Sequence, residues 1–323
     1  MKILAVQNRM GIGDMIIFLP FIEAISKKFG TPVSILVKES TKAPEILKNN
    51  LSINKIIFLD RNDYTKQGRH FGFMGALNLA SDIKKHNFDK VFIFNSSLRY
   101  RLIMKISKIK DIYQYKLFDK KKQNVIKTAQ NFLKKTISLD IESKPIISIN
   151  PEEVKKASIK YNIDSKNINI LLGIGGSGKT KRVSAEKYLE FIKLCVNSFK
   201  CNFFLATGKK IEEQEILKKI LNSNFKNLCK TLDSLMISET LPIIKNCNLG
   251  VCNDTSFSHL SAALGVETIV LMTDSPLLYG NYNPKMHPII PDGEKTVTHN
   301  TRGKDKINPE KIFNKAKEIL DLS

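Results

Sequence analysis

The side chains with most chemical promise lie in Asn248 to Gly265, NLGVCNDTSFSHLSAALG, where an apolar strand, a polar turn and an apolar helix follow one another. Leu249, Val251 and Cys252 read as a short buried strand. Asp254, Thr255 and Ser256 read as side-chain caps, and Leu260, Ala262, Ala263 and Leu264 as a tightly packed helix closed by Gly265. A helix that starts there points free backbone N–H groups and a partial positive charge beyond the sheet, which suits a phosphate or diphosphate. Asp254 could equally do no more than cap a core helix. His259, near the same helix start, is either a core histidine or a hydrogen-bond donor to a phosphate.

Three other turns could meet such a ligand. Gly11-Ile12-Gly13-Asp14 places two glycines where backbone must come close to something, with a carboxylate at the start of the next helix. Asp14 is there either a helix cap or a general base. The third glycine of the dinucleotide fingerprint is missing, and no acidic residue closes the next strand, VSILVK. Gly173 to Thr180, GIGGSGKT, has the spacing of a nucleotide-binding P-loop, with Lys179 for the β and γ phosphates and Thr180 for magnesium. A P-loop runs straight into its helix at Gly-Lys-Thr, whereas here Lys181, Arg182 and Val183 intervene before a better helix start at Ser184-Ala185-Glu186. Phosphate contact by the glycines of this loop and by Lys181 is therefore favoured over a P-loop, with an ATPase or kinase as the competing enzyme class. After Ala206-Thr207-Gly208, Glu212 offers a carboxylate either to ribose hydroxyls or only to the start of its own helix.

Strands must hold these turns in place, and the chain supplies them in alternation with helices. Residues 2 to 8, VSILVK from Val33, KIIFLD from Lys55 and KVFIFN from Lys90 read as strands, with helices at 15–29, near 42–48 and at 73–85 between them. A helix at 98–109, a strand at 112–117 and a helix at 124–135 follow. The stretch from Ile141 to Asn169 holds Pro145, Pro151 and many charges without a strong period, and the domain junction is placed there. Alternation resumes with INILLGIG from Ile168, a helix at 185–199, NFFLATG from Asn202, a helix at 211–221, a short strand near Leu228 and a helix at 236–246. TIVLMT from Thr268 and a last amphipathic helix from about Pro309 to Leu322 complete the series. Strands separated by helices pair in parallel through crossovers, so the chain reads as two doubly wound α/β domains. Ligands of such sheets bind beyond the carboxyl ends of the strands, where all four turns lie. The long polar loop from Arg61 to Gly72, RNDYTKQGRHFG, is unlike a tight connection and marks a functional or mobile segment.

The 323 residues carry a net charge of +21, yet only 7 of the 52 basic residues are Arg. Lys spread over helices suits solvated faces or an anionic membrane surface, and argues against nucleic acid, whose readers are rich in Arg. The five cysteines, Cys195, Cys201, Cys229, Cys247 and Cys252, form no C-x-x-C pair and read as reduced thiols of a cytoplasmic protein. The five histidines have no metal-ligand spacing, and no metal is expected. No apolar run reaches the roughly 20 residues of a membrane span, so contact with a membrane would be peripheral.

GDMIIFLPFIEAI from Gly13, GGSGKTKRVSAEKY from Gly175, TGKKIEEQE from Thr207 and NDTSFSHLSAALG from Asn253 occur in the order seen in the heptosyltransferases of lipopolysaccharide core synthesis. The chain resembles that family, glycosyltransferase family nine, over nearly its whole length. The resemblance implies the GT-B architecture: two Rossmann-like domains facing a central cleft, an acceptor domain at 1–155 and a nucleotide-sugar domain at 165–306. A C-terminal helix at 307–323 would turn back towards the first domain. Asp14 matches the family's catalytic base, Lys181 the lysine that stabilises the departing diphosphate, and Glu212 the acidic residue on the ribose. Ser177, Asp254, Thr255 and His259 match the donor-binding turns, and Gly175, Gly176 and Ser256 in the same turns are taken as further donor contacts. Acceptor contacts are assigned to Gly13 and to Arg61, Lys66 and Arg69, whose cations would hold acidic groups.

The implied activity is inverting, metal-independent transfer of a sugar, heptose from ADP-heptose first, to a lipopolysaccharide-core or other envelope glycan acceptor, lipid-linked at the inner face of the cytoplasmic membrane. No cofactor is implied beyond that donor. This sequence departs from the family at Ser256, where glycine is usual, at Val183-Ser184, where Trp-Pro is usual, and at Thr273-Asp274-Ser275-Pro276, a degraded Gly-Pro-Thr-Asp-Pro turn. Those departures leave a non-catalytic nucleotide-sugar-binding protein as a third reading.

Overall fold

The structure, a computed structural model, describes residues 1–117, 124–176 and 178–322. The chain divides into two compact units, Met1–Pro145 and Ile146–Ser323.

In the first unit, strands β1 (Ile3–Val6), β2 (Val33–Val37), β3 (Ile53–Phe58), β4 (Lys90–Ile93) and β5 (Asp111–Gln114) form a parallel sheet in the order β3-β2-β1-β4-β5. The order reverses between β1 and β4, so the crevice of a doubly wound sheet opens at the turn after β1. Helices α1 (Ile12–Phe29), α2 (Ala43–Ile46), α3 (Gly72–Lys84), α4 (Leu98–Ile106) and α5 (Val125–Ile137) make or follow the crossovers. Central strands are buried on both faces and read as continuous apolar runs, ILAV in β1 and VSILV in β2. The edge strand β3 instead keeps Lys55 and Phe58 exposed. Phe92 of β4 is fully buried, stacked on Tyr113 of β5 with ring centroids 4.8 Å apart and meeting Phe29 of α1 and Phe132 of α5.

The second unit repeats the plan. Strands β6 (Ile168–Gly173), β7 (Cys201–Ala206), β8 (Cys229–Thr231), β9 (Leu249–Asn253), β10 (Glu267–Leu271) and β11 (Met286–Ile289) run in the order β11-β10-β9-β6-β7-β8, all parallel, with the reversal between β6 and β9. The helices are α6 (Pro151–Lys160), α7 (Ala185–Ser198), α8 (Ile211–Leu221), α9 (Ile237–Lys245), α10 (Ser256–Ala263) and α11 (Pro309–Ile319). Gly265 takes φ +84° just beyond α10, the left-handed conformation expected of it. All five cysteines are free, and four are buried.

The division at Pro145 lies within the stretch from Ile141 to Asn169, but that stretch also contains α6, so the first unit ends before 155; the start of α6 is signalled by Asn150 accepting from the Glu152 N–H and by Pro151 at its first position. The segment after β10 contains a strand the sequence reading did not include, β11, which tolerates Pro288 because it is an edge strand paired on one side only. The last helix belongs to the second unit: Phe313 stacks on Phe199 at the end of α7, and the Lys187 ammonium of α7 donates to the Ile307 carbonyl at 2.6 Å.

Replacing Phe92 by Ala is expected to lower the stability of the first unit by about 3–5 kcal/mol, the usual cost of an aromatic cavity. Urea unfolding followed by tyrosine fluorescence reads this, and a midpoint unchanged from wild type would refute the central place given to Phe92.

Candidate functional site

In the second unit, the carboxyl ends of β6, β7, β9 and β10 bring four loops together. The junction is Asn253, the last residue of β9 and fully buried. Its amide donates to the carbonyls of Ile174 and Gly175, both at 3.0 Å, and its oxygen accepts from the Tyr188 hydroxyl at 3.0 Å. Asn253 thus fastens the glycine loop after β6 to the strand that ends in Asp254. Gly176 is held from both sides: its N–H donates to Glu213 at 2.6 Å, and its carbonyl accepts from the buried Arg182 guanidinium at 2.9 Å. The loop has no room for side chains here, since a Cβ on Gly175 would lie 2.8 Å from the Glu213 carboxylate.

Asp254 follows, only 6% exposed. The Lys181 ammonium donates to its Oδ2 at 2.6 Å, the Ser275 hydroxyl donates to the same oxygen, and His259 Nε2 stands 3.9 Å from Oδ1. Burial by itself would push the Asp254 carboxyl up. The positive charges of Lys181 and His259 and the hydrogen bonds from Lys181 and Ser275 outweigh it, so its pKa lies below the ordinary value. His259 Nδ1 is 2.8 Å from the hydroxyl of Tyr282, whose pKa burial drives upwards. Asp254 therefore does not cap α10: no side chain caps that helix, and Thr255, in the cap position, keeps its hydroxyl buried without a protein partner. Thr207, at the end of β7, has a second such hydroxyl. Free helix-start N–H groups, an ammonium and an unpartnered hydroxyl form a set that meets a diphosphate, and a buried carboxylate at the glycine loop can accept from sugar hydroxyls.

Several sequence expectations move at this level. The carboxylate brought to the glycine loop belongs to Glu213, while Glu212 is exposed, because the first turn of α8 turns the later residue inwards. The reading of GIGGSGKT against a P-loop holds: Lys179–Lys181 make a 3-10 turn, and α7 begins at Ala185, the expected start. The Thr180 carbonyl instead accepts from Thr273 of the turn after β10, at 2.8 Å. Ser256 opens α10, and Ser177 lies outside the described residues. Arg182, Tyr188, Asn253 and Ser275 act here without having been singled out. Only Asn253, a polar residue closing an apolar strand, left a sequence signal. Among the described residues no three His, Cys, Asp or Glu side chains gather as a metal site would need.

In the first unit, Asp14 lies in the first turn of α1, at the point where the sheet order reverses. Its Oδ2 accepts from the Gly11 N–H at 3.2 Å and its Oδ1 from Arg9 at 3.3 Å, with about a quarter of the side chain (26%) in solvent. Gly13 is the second residue of the same helix. Of the three loop cations, Arg61 pairs with Asp63 at 2.6 Å and Arg69 grips Asp82 with two bonds of 3.1 Å. Lys66 is exposed with φ +53°.

A sequence profile described as glycosyltransferase family 9 (heptosyltransferase) matches residues 80–315. The chain belongs to this glycosyltransferase family. Lipooligosaccharide heptosyltransferase 2 of Campylobacter jejuni subsp. jejuni is 24% identical, over 97% of this chain and 96% of that protein. Among solved structures, the glycosyl transferase family 9 protein of Veillonella parvula has a TM-score of 0.79 at 20% identity, covering 100% of this chain and 98% of that one. The E. coli heptosyltransferase WaaC with ADP has a TM-score of 0.73 at 14% identity, covering 99% of this chain and 100% of that one. The α/β fold with two parallel sheets is therefore that of the heptosyltransferases.

Lys181→Ala is expected to destabilise the second unit by about 3 kcal/mol, the low end for a broken buried pair because the Lys181 side chain is 24% exposed. Asp254 has a depressed pKa in the folded state, so its contribution is full above the unfolded value of about 3.9 and is lost as pH falls through the folded one. The gap between wild type and variant should thus be widest near neutral pH and close below about pH 4. Thermal unfolding over pH 3 to 8 checks this, and a gap that does not change with pH would contradict it.

Proposed function

We propose that this family 9 protein is an inverting glycosyltransferase that moves a sugar from a nucleotide diphosphate sugar to a cell-envelope glycan acceptor. Heptose from ADP-heptose is the leading donor, and the lipopolysaccharide core the leading acceptor. The observation that carries the reading is the group at the start of α10: Lys181 on the buried Asp254, beside the unpartnered Thr255 hydroxyl and the clamped Gly176. The ADP held by the related WaaC supports a nucleoside diphosphate at a site of this kind.

In the proposed reaction, the Asp14 carboxylate accepts the proton of the acceptor hydroxyl, and that oxygen attacks the anomeric carbon from the face opposite the diphosphate. One C–O bond forms as the other breaks, the configuration inverts, and the electron pair leaves on the diphosphate. Charge developing there is met by the Lys181 ammonium, the Thr255 hydroxyl and the N–H groups of α10. Glu213, rather than Glu212, holds the ribose hydroxyls. Fixed cations and dipoles can do this without a metal, so transfer should persist in EDTA. The site of action is the inner face of the cytoplasmic membrane, where nucleotide sugars and lipid-linked glycans meet.

Asp14→Asn is a clean test, because the amide oxygen can still accept from Gly11 and keep the start of α1 intact while its basicity is gone. Transfer should fall by at least about 100-fold, within the range typical of a lost general base. ADP should still raise the melting temperature as it does for wild type, in proportion to its affinity. Undiminished turnover would remove Asp14 from the base role. A thermal-shift panel in which no nucleotide sugar stabilises the wild type would overturn the donor assignment.

A further inference from the structure

Away from the donor loops, the first unit exposes large apolar side chains in and beside the loop from Arg61 to Gly72. Tyr64 in the loop after β3 is 82% exposed, and Phe73 and Met74 in the first turn of α3 are 79% and 65% exposed. Along α4, Leu98, Leu102 and Ile106 are 39%, 48% and 51% exposed. Their spacing of four residues makes them one stripe on the helix, opposite the face that buries Tyr100, Ile103 and Met104. The Arg99 guanidinium donates to the carbonyls of His70 and Gly72, both at 2.7 Å, so loop, α3 start and α4 start are tied into a single surface.

The charges around this surface select its partner. Residues 61–110 contain 11 Lys and Arg against 3 Asp. Two of those acids, Asp63 and Asp82, are already neutralised by Lys38 with Arg61 and by Arg69 with Lys85. Helix α4 has no acid at all, and Arg101 and Lys105 flank its apolar stripe. We propose that this face docks on an anionic lipid bilayer, with the apolar side chains in the acyl boundary and the cations at the headgroups. A second copy of the chain would bring its own +21 against a basic face, which opposes self-association.

The loop after β3 and the start of α4 after β4 lie at the carboxyl end of the same parallel sheet as Asp14 after β1. The near end of the bilayer contact, at Tyr64, Phe73 and Leu98, therefore shares one end of the unit with the proposed base, while α4 carries its stripe back along the sheet, which fits an acceptor glycan carried on a membrane lipid. That last step rests on the transferase reading, whereas the docking surface does not.

Co-sedimentation of the full chain with phosphatidylethanolamine vesicles containing phosphatidylglycerol, and with phosphatidylcholine vesicles, tests the proposal. Binding is expected to the anionic vesicles only and should weaken as salt rises. Arg101→Ala with Lys105→Ala should lower partitioning about 25-fold, from roughly fivefold per basic side chain at such a surface. Leu102→Ser with Ile106→Ser should also release the protein without lowering its melting temperature, since both side chains are exposed. Wild type that ignores anionic vesicles, or variants that bind as wild type does, would overturn the proposal. So would sedimentation velocity showing a dimer that the Leu102 and Ile106 substitutions dissociate, with no lipid binding. A thermal shift with ADP keeps the two readings apart: its absence alongside retained vesicle binding would sink the transferase and leave the surface standing.

Discussion

A carboxylate that stays ionised while almost wholly out of water is the constraint on which the second unit's functional edge depends. Desolvation opposes the charge of Asp254, and only the ammonium of Lys181, the hydroxyl of Ser275 and the nearby His259 make it tolerable. Lys181 comes from the loop after β6, Ser275 from the turn after β10, and His259 from α10, which follows Asp254 after β9. The electrostatic need of one side chain therefore fixes the mutual position of three connections that are hundreds of atoms apart along the chain. Asn253 does the same work by neutral hydrogen bonds one residue earlier.

Among the described residues, Thr207 and Thr255 at this edge keep buried hydroxyls without a hydrogen-bond partner, and α10 begins without a side-chain cap. Such defects are costly in a core and are retained where a ligand completes them. In the proposed reaction Lys181 would serve both structure and chemistry, its charge keeping Asp254 ionised and meeting a leaving diphosphate. Asp14 would do the same in the first unit, bound to the amide of Gly11 at the start of α1 and proposed to take up a proton.

How much of this was legible in the residues depends on which physical signal wrote it. The alternation of apolar strands and helices, set by burial on both faces of parallel sheets, announced two doubly wound units, and Gly265 announced the end of α10. Asp14, Lys181 and Asp254 could be located from their turns and from the family resemblance. What stayed hidden was orientation. Helical phase at the first turn of α8 brings Glu213 rather than Glu212 to the Gly176 N–H, and adjacent acids give no pattern from which to read this. The residues Lys181, Arg182 and Val183 before the helix start already spoke against a P-loop, but spacing records neither the 3-10 turn at Lys179–Lys181 nor the Thr273 bond that holds it. Tyr188, Arg182 and Ser275 act through contacts 6 to 65 residues away in sequence, which no local pattern encodes. Strand β11 was masked by Pro288, a residue that only an edge position permits.

Three of the strand edges of the two open sheets have a composition with a consequence for the protein in solution. On β11 the proline removes an N–H donor, β8 is only three residues long with Lys230 clasping the Tyr161 and Asn162 carbonyls, and β3 turns Lys55 outward. An incoming chain would find on these borders interrupted hydrogen-bonding ladders and positive charge, features that discourage intermolecular β-pairing. Crowding of many copies on one surface should therefore proceed without fibrillar or amorphous precipitation.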